Sequence, residues 1–488
     1  MKKIEEIMAI GNPMTIYTLL TSYKKPFRKS IEQTEAEYNP MSHKVMDTNV
    51  RKKKAIKVKT NKVDADGSPI YKTKYVDRCR IAVPAQRLIC ERDVGFLLSN
   101  NVKYNIKGEV DKQAQDLYDQ TISVFQENKI DYFDKKLARD LFRCCECAEL
   151  WYLVPSQDDN TQSEIRVMLL SPLRGDLLYP HFDDYNRMDG FARRYIIKDE
   201  MGNTTVHFDV YTSTMLYRYS NDGSTMQLLS AKPHGFTKIP VVYYRQEETE
   251  WECVQPVIER LEELLSNWGD VNDYFGAPTY FFKGKMKGFA DKGEVGRIYQ
   301  GEGSDTDMKV VSWNSAPESM RQEMANLSNI IFSYTQTPDI SFENMKTLGN
   351  NTSGAAIRLM FTDPHLKAET KEELFGEMFT RRFNVVKNGI ASSINATPQR
   401  VADSLKVTPV FSPYVPKNEL EMLQLINLAT QGKATMSQEE GIEENPLVRN
   451  AERTKALLKK EQDEANQLNL FATATAGQNA DNSESGEE

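Results

Sequence analysis

The residues best suited to chemistry are a thiol cluster and an acidic patch. Cys144, Cys145 and Cys147 lie together, while Cys79, Cys90 and Cys253 stand apart. A zinc site needs two Cys-x-x-Cys or His pairs facing one point, and no second cluster exists. The segment DKKLARDLFRCCECAELWYL has the spacing of one amphipathic helix, which splays the thiols around its axis. They read as buried free thiols of a protein kept in a reducing compartment. The acidic patch is His181, Asp183, Asp184 and Asp189 in PHFDDYNRMDG. A metal-dependent nuclease would need such carboxylates at one site, but the stretch is turn-rich and a solvated loop is the better reading. His43, His207, His234 and His365 have no partners at catalytic spacing. Gly301-Glu302-Gly303 lacks a third glycine and a following helix, and neither G-x-x-x-x-G-K-[ST] nor G-x-S-x-G occurs. The expectation is therefore a protein with no catalytic residues, no metal and no cofactor.

The elements that would position such residues start from a chain of 488 residues, more than one structural unit at roughly 100–200 residues per domain. Hydrophobic residues make up 40%, enough for a sizeable core, and the mean hydropathy of -0.57 fits long surface helices or a polar tail. Sixty-two basic against 70 acidic residues give -8, the wrong sign for gripping duplex DNA by phosphate neutralisation. No apolar stretch approaches the roughly 18 residues of a membrane helix. In MKKIEEIMAIGNPM, Glu5 and Glu6 occupy the place of a signal peptide's apolar run. Both point to a cytosolic protein with no membrane partner.

Residues 1–50 are mixed and partly helical. RKKKAIKVKTNK, the turn DADGSP and IYKTKYV predict a two-stranded antiparallel ribbon with lysine-charged edges. AQRLICERDVGFLL has helical spacing at Leu88, Ile89, Val94, Leu97 and Leu98, and a further helical stretch covers about 111–150. RRYIIKD, TTVHFDVYT, TMLYRYS, TMQLLSA and IPVVYYRQ then alternate as one meander or small sheet, with Val206, Phe208 and Val210 on one face. In 251–275, Val254, Ile258, Leu261, Leu265, Trp268 and Phe275 form one apolar helical stripe. Short strand-like, glycine-rich pieces fill 279–313, and Pro317 opens a second striped helix carrying Met320, Met324, Leu327, Ile331 and Tyr334, which Pro338 stops. Two striped helices bracketing a small α/β knob need partners for their stripes. DISFENMKTLGNNTSG is a polar loop, and Thr352 or Ser353 can cap the helix GAAIRLMF. After an interruption at Pro364 the helix resumes with Phe375, Phe379, Phe383 and Val386 on one face. Ser437-Gln438-Glu439-Glu440 fits a capping box. VRNAERTKALLKKEQDEA is a charged helix, and FATATAGQNADNSESGEE reads as a disordered acidic tail.

This order of elements resembles the portal, or head-to-tail connector, family of tailed double-stranded DNA bacteriophages. The segments that carry the resemblance are RCRIAVPAQRLICERDVGFLL, TPDISFENMKTLGNNTSGAAIRLMF, KEELFGEMFTRRFNVV and NELEMLQLINLATQGKATMSQEEGIEENPLV followed by NAER. They span roughly residues 75 to 465. Pro364 falls where the family has a longer unbroken helix, so a kink is expected there.

The resemblance implies an α+β, elongated multi-domain fold that assembles into a ring. Residues 1–250 would be the N-terminal wing, 251–275 and 317–338 the stem helices, 276–316 the clip, and 339–352 the tunnel loop. Residues 353–410 would be the wing helix and return, 411–465 the crown, and 466–488 the disordered tail. Stem packing would fall to Ile258, Leu261, Leu265, Trp268, Leu327 and Ile331. A ring of about twelve copies would sit at one vertex of the virion capsid after assembly in host cytoplasm. Double-stranded DNA would be packaged and ejected through it. Its partners would be the terminase large subunit, major capsid and scaffolding proteins, and a head-completion or tail adaptor protein. At -8 per copy the ring would carry on the order of -96, a field that keeps DNA from being trapped. Asn344, Lys346, Asn350 and Asn351 would touch passing phosphates weakly, although Lys346 reads equally well as a solvated loop lysine. Lys283, Lys285 and Lys287 would form a docking rim for the motor, with a plain strand edge the simpler reading of each. The competing readings are a metal-dependent nuclease and a cytosolic helical scaffold.

Overall fold

The computed structural model describes residues 2–67, 69–155, 163–221, 225–275, 279–286, 301–311, 317–338, 361–394, 397–414, 419–431 and 434–481. These fall into two compact units, one formed by 2–338 with 361–414 and the other by 419–481.

The first unit opens with α1 (Ile4–Met8), α2 (Pro13–Ser22) and α3 (Ile31–Tyr38). Asn12 caps α2 through its side chain, with Pro13 at the first helical position, and Ser30 with Gln33 closes a capping box on α3. The basic stretch forms the expected ribbon of β1 (Lys54–Val63) and β2 (Pro69–Val76), paired antiparallel. Next come α4 (Ala85–Leu97), β3 (Lys103–Ile106), α5 (Lys112–Glu127) and α6 (Ile130–Cys144). Ile89, Val94, Leu97 and Leu98 are buried as their spacing predicts, but Leu88 is exposed.

The single helix expected through the thiol cluster is not what forms. The helix α6 stops at Cys144, Cys145 turns with a left-handed φ of 63°, and β4 (Glu146–Pro155) continues as a strand. The strand is central in an antiparallel three-stranded sheet, between β5 (Ser163–Leu170) and β11 (Val241–Arg245). A centrally buried strand is apolar on both faces, so its sequence loses the period-two signal that separates it from a buried helix. The three thiols are free and buried, and burial pushes all three pKa values up. They are accordingly poor nucleophiles.

The meander is a five-stranded antiparallel sheet of β6 (Leu177–Phe182), β7 (Met188–Lys198), β8 (Thr204–Tyr211), β9 (Met215–Asn221) and β10 (Met226–Pro233), in sequence order. IPVVYYRQ belongs to the other sheet, through β11. Phe208 and Val210 point into a core made with α1 and α2, whereas Tyr211 joins a second core with Ala148, Val241 and Tyr243. The sheet is therefore covered on both faces around β8, while Ile196, Ile197, Leu228 and Leu229 stay exposed.

From here the chain leaves as the helix α7 (Gln255–Phe275) and passes through β12 (Thr279–Met286) and β13 (Gly301–Val311). It returns as α8 (Pro317–Tyr334). The 28-residue helix α9 (Thr362–Gly389) crosses the main core, with Phe375, Phe379, Phe383 and Val386 buried. Pro364 does not kink it. It sits in the first turn, where the backbone N–H groups have no helical partner and a missing one costs little. A π-turn at Ile390–Ile394, α10 (Gln399–Ser404) and β14 (Val407–Val410), paired with β3, complete the unit.

The second unit holds α11 (Glu419–Thr430), α12 (Gln438–Glu444) and α13 (Ala451–Asp481). The capping box predicted at Ser437 forms with Glu440. The expected disordered tail from 466 is helical as far as Asp481. Ala472, Ala474, Ala476 and Ala480 are strong helix formers that propagate a helix already nucleated upstream.

Candidate assembly and channel site

The helices α7 and α8 bracket the β12–β13 ribbon as the sequence predicts, and Arg260 of α7 bonds Glu323 of α8 at 2.8 Å. Their apolar stripes are not uniform. Ile258, Leu261 and Ile331 are fully buried in the main core of their own chain, beside Trp251 and Val254. Leu265, Leu327 and Met324 are half-buried against that core, and Trp268 is half-buried. Tyr334 is exposed, so it lies off the packed stripe. Of the six residues expected to pack the stem, Ile258, Leu261 and Ile331 are consumed within the subunit, and Leu265, Trp268 and Leu327 keep exposed surface.

A second face of α7, invisible to an apolar count, is buried and polar. Glu262 takes His43 Nδ1 at 2.6 Å and the Val83 amide at 2.7 Å, while His43 Nε2 meets the Glu37 carbonyl at 2.8 Å. Ser266 accepts the Ile81 amide at 2.9 Å, and Asp270 accepts the Cys79 amide at 2.8 Å. Arg51 donates to Asp270 at 2.5 Å and to Asn267 at 2.9 Å. The segments before and after the β1–β2 ribbon are thus fastened to α7. Gly269 permits this approach, since a Cβ there would lie 2.4 Å from Cys79 Sγ. A cavity of about 390 Å³ opens beside the His43 cluster, lined by Arg28, Lys29, Lys44 and Glu259. Arg28, Lys29 and Lys44 already pair with Glu248, Glu37 and Glu259.

Where α8 ends, Lys367 of α9 donates to Asp93 of α4 at 2.6 Å and to the Thr335 carbonyl at 3.0 Å, and lies 3.2 Å from Glu250. Lys371 joins Glu250 at 2.5 Å, and Arg92 donates to the Pro338 carbonyl. Burial raises the Asp93 carboxyl to about 7, with Lys367 opposing the rise. Deeper in the core, Arg382 is wholly buried between Glu149 at 2.8 Å and Asp134 at 2.5 Å. Trp151 and Tyr244 also donate to Glu149.

In the β12–β13 ribbon, Lys283 is exposed and sits opposite Asp307, and Lys285 sits opposite Glu302. An opposite-charge partner across the ribbon is the ordinary stabiliser of such a pair. Lys287 and the tunnel-loop residues Asn344, Lys346, Asn350 and Asn351 lie outside the described residues, as does the helix expected at GAAIRLMF. The acidic patch does not assemble. His181 is a buried strand residue bonded to Asp189 at 2.5 Å, Asp189 also accepts the Ile4 amide, and Asp183 caps its own turn. Among the described residues no three of His, Cys, Asp and Glu converge as metal ligands, and no helix is long and apolar enough to cross a membrane.

The sequence model of phage portal proteins, SPP1 Gp6-like, matches residues 26–468. The chain belongs to this family of phage portal proteins. A search of curated proteins returned no match. Family membership gives this portal chain a structural role in the phage capsid, in a capsid-associated oligomer linked to DNA packaging. Its mixed helices and sheets agree with the α+β expectation. Sequence reasoning missed the His43, Lys367 and Arg382 clusters. No local pattern marks them, because their partners lie 219, 274 and 248 positions away along the chain.

Proposed function

We propose that this portal forms a closed ring of about twelve subunits at one capsid vertex, through which double-stranded DNA is packaged and later ejected. The supporting observation is the excursion of α7 and α8. Both are anchored in the mixed α/β unit, both carry half-covered apolar residues (Leu265, Trp268 and Leu327), and the β12–β13 ribbon lies between them in the chain. Half-covered apolar surface on two adjacent helices is stabilised by a neighbouring copy.

In this reading α7 and α8 are the stem and 276–316 is the clip that docks the terminase motor and then the head–tail adaptor through Lys283, Lys285 and Lys287. Residues 339–352 are the tunnel loop, with Asn344, Lys346, Asn350 and Asn351 making weak phosphate contacts. The units 1–250 and 353–410 are the wing, and 411–465 is the crown. A net -8 per subunit keeps the channel from holding a polyanion. Light scattering with negative-stain imaging of the purified chain tests this. A ring many times 55.9 kDa with a central pore is expected, and a monomer or dimer without a pore overturns the reading.

A further inference from the structure

The β1–β2 ribbon is a surface that the proposed ring leaves unexplained. Residues 51–76 hold nine lysines and arginines and two aspartates, a net +7; since the whole chain is -8, the other residues carry -15. The register places Ile56 opposite Lys74 and Val58 opposite Lys72 on one face, and Ala55 opposite Tyr75 and Lys57 opposite Thr73 on the other. Both faces are open: Val58, Val63, Ile70, Tyr71 and Tyr75 are exposed, as are Lys57, Lys62, Lys72 and Lys74.

Lysines alone would serve to keep a strand edge from aggregating. They do not account for apolar and aromatic side chains on both faces of the same ribbon. A two-stranded hairpin is marginal in water without something to pack on. Its root, by contrast, is fixed: Arg51, Cys79 and Ile81 are fastened to Asp270, Asn267 and Ser266 of α7. The ribbon is thus held out in one direction, and a ten-residue strand reaches roughly 30 Å.

We propose that β1–β2 is an intersubunit arm that lies across an acidic surface of a neighbouring copy of this chain. The proposal rests on the ring reading above. Charge complementarity carries it, because an arm of +7 meets copies whose remaining residues sum to -15. A ribbon that only followed DNA would need cations and no apolar faces. Tyrosine, with an apolar body and a polar tip, suits a protein interface. The fixed root lowers the ordering cost of docking.

The test uses full-length chain assembled from a mixture of isotopically light and heavy copies, treated with a zero-length carboxyl–amine cross-linker and digested for mass spectrometry. Lys57, Lys62, Lys72 and Lys74 are expected to give light–heavy links to aspartates and glutamates. The variant K57E/K62E/K72E/K74E, with an unchanged circular dichroism spectrum, is expected to lose those links and to need about tenfold more protein to assemble at 150 mM salt. Links confined to one copy, or a variant that assembles like wild type at every salt concentration, overturn the arm. So does a wild type that binds duplex DNA through these lysines when the variant loses DNA and keeps its assembly. A wild-type chain that stays monomeric sinks the ring and the arm together, whereas a ring with arm links only within each copy sinks the arm alone.

Discussion

His43 and Glu262, 219 positions apart, meet at 2.6 Å in a buried contact that fastens the N-terminal segment to α7. Both ring nitrogens face acceptors, Glu262 on one side and the Glu37 carbonyl on the other. Only the doubly protonated imidazolium donates to both. Burial disfavours that charge, but the hydrogen bond and charge of Glu262, with the Glu37 carbonyl, outweigh it and hold the His43 pKa above its usual value.

A raised folded-state pKa means stability that is complete below the ordinary histidine value of about 6.5 and lost as pH climbs through the folded value. His43→Gln should therefore cost about 1–3 kcal/mol at pH 6. The gap to wild type should shrink by pH 9 in chemical denaturation at a series of pH values. A gap that widens with pH would contradict the charged pair.

Arg382 is the single cation between Glu149 and Asp134 in that cluster, and it is wholly buried. Removing one partner of a buried ion pair leaves an uncompensated charge. Arg382→Met should cost about 3–5 kcal/mol in urea unfolding. Adding Glu149→Gln and Asp134→Asn to it should return part of the loss, because no unpaired carboxylate then remains in the core.

The apolar residues of α7 and α8 proposed to pack the stem divide into two kinds, and the division is measurable. Ile331 is buried in its own subunit, so Ile331→Asp should depress the melting temperature of the chain whatever its assembly state. Trp268 is half-buried. Trp268→Asp should leave the circular dichroism melt within a few degrees of wild type while shifting the particle mass seen by light scattering. Equal effects of the two variants on both measurements would contradict this partition.

Gly269 lets the Cys79 segment lie against α7. Gly269→Ala places a methyl group inside the contact distance of Cys79 Sγ and, at 3.1 Å, tightly against Cys79 Cβ. Overpacking of this kind costs about 1–3 kcal/mol. Cys79→Ala should relieve part of it, because the Cβ contact remains, and hydrogen exchange at the Cys79 and Ile81 amides should report the loosening directly.

The bracketing helices, the basic ribbon and the Ser437 cap were legible because each rests on a local rule: a stripe at three–four spacing, alternation about a turn, or a serine three residues before a glutamate. The strand after Cys145 was not, since a doubly buried strand has no period to read. Nor were the ion clusters. Glu262 and Lys367 meet His43, Val83 and Asp93 across 219, 179 and 274 positions of chain, and that enclosure is a property of the tertiary fold. The three half-buried residues Leu265, Trp268 and Leu327 came from the stripes of α7 and α8, but a stripe could not tell which of its members the subunit keeps for itself.

The tethers at the end of α8 set a path for mechanical load. Lys367 holds the Thr335 carbonyl and Arg92 holds that of Pro338, so tension applied just beyond Pro338 is delivered to α4 and the 28-residue α9. A pull on the backbone at that point is shared with three ion pairs, Lys367–Asp93, Lys367–Glu250 and Lys371–Glu250.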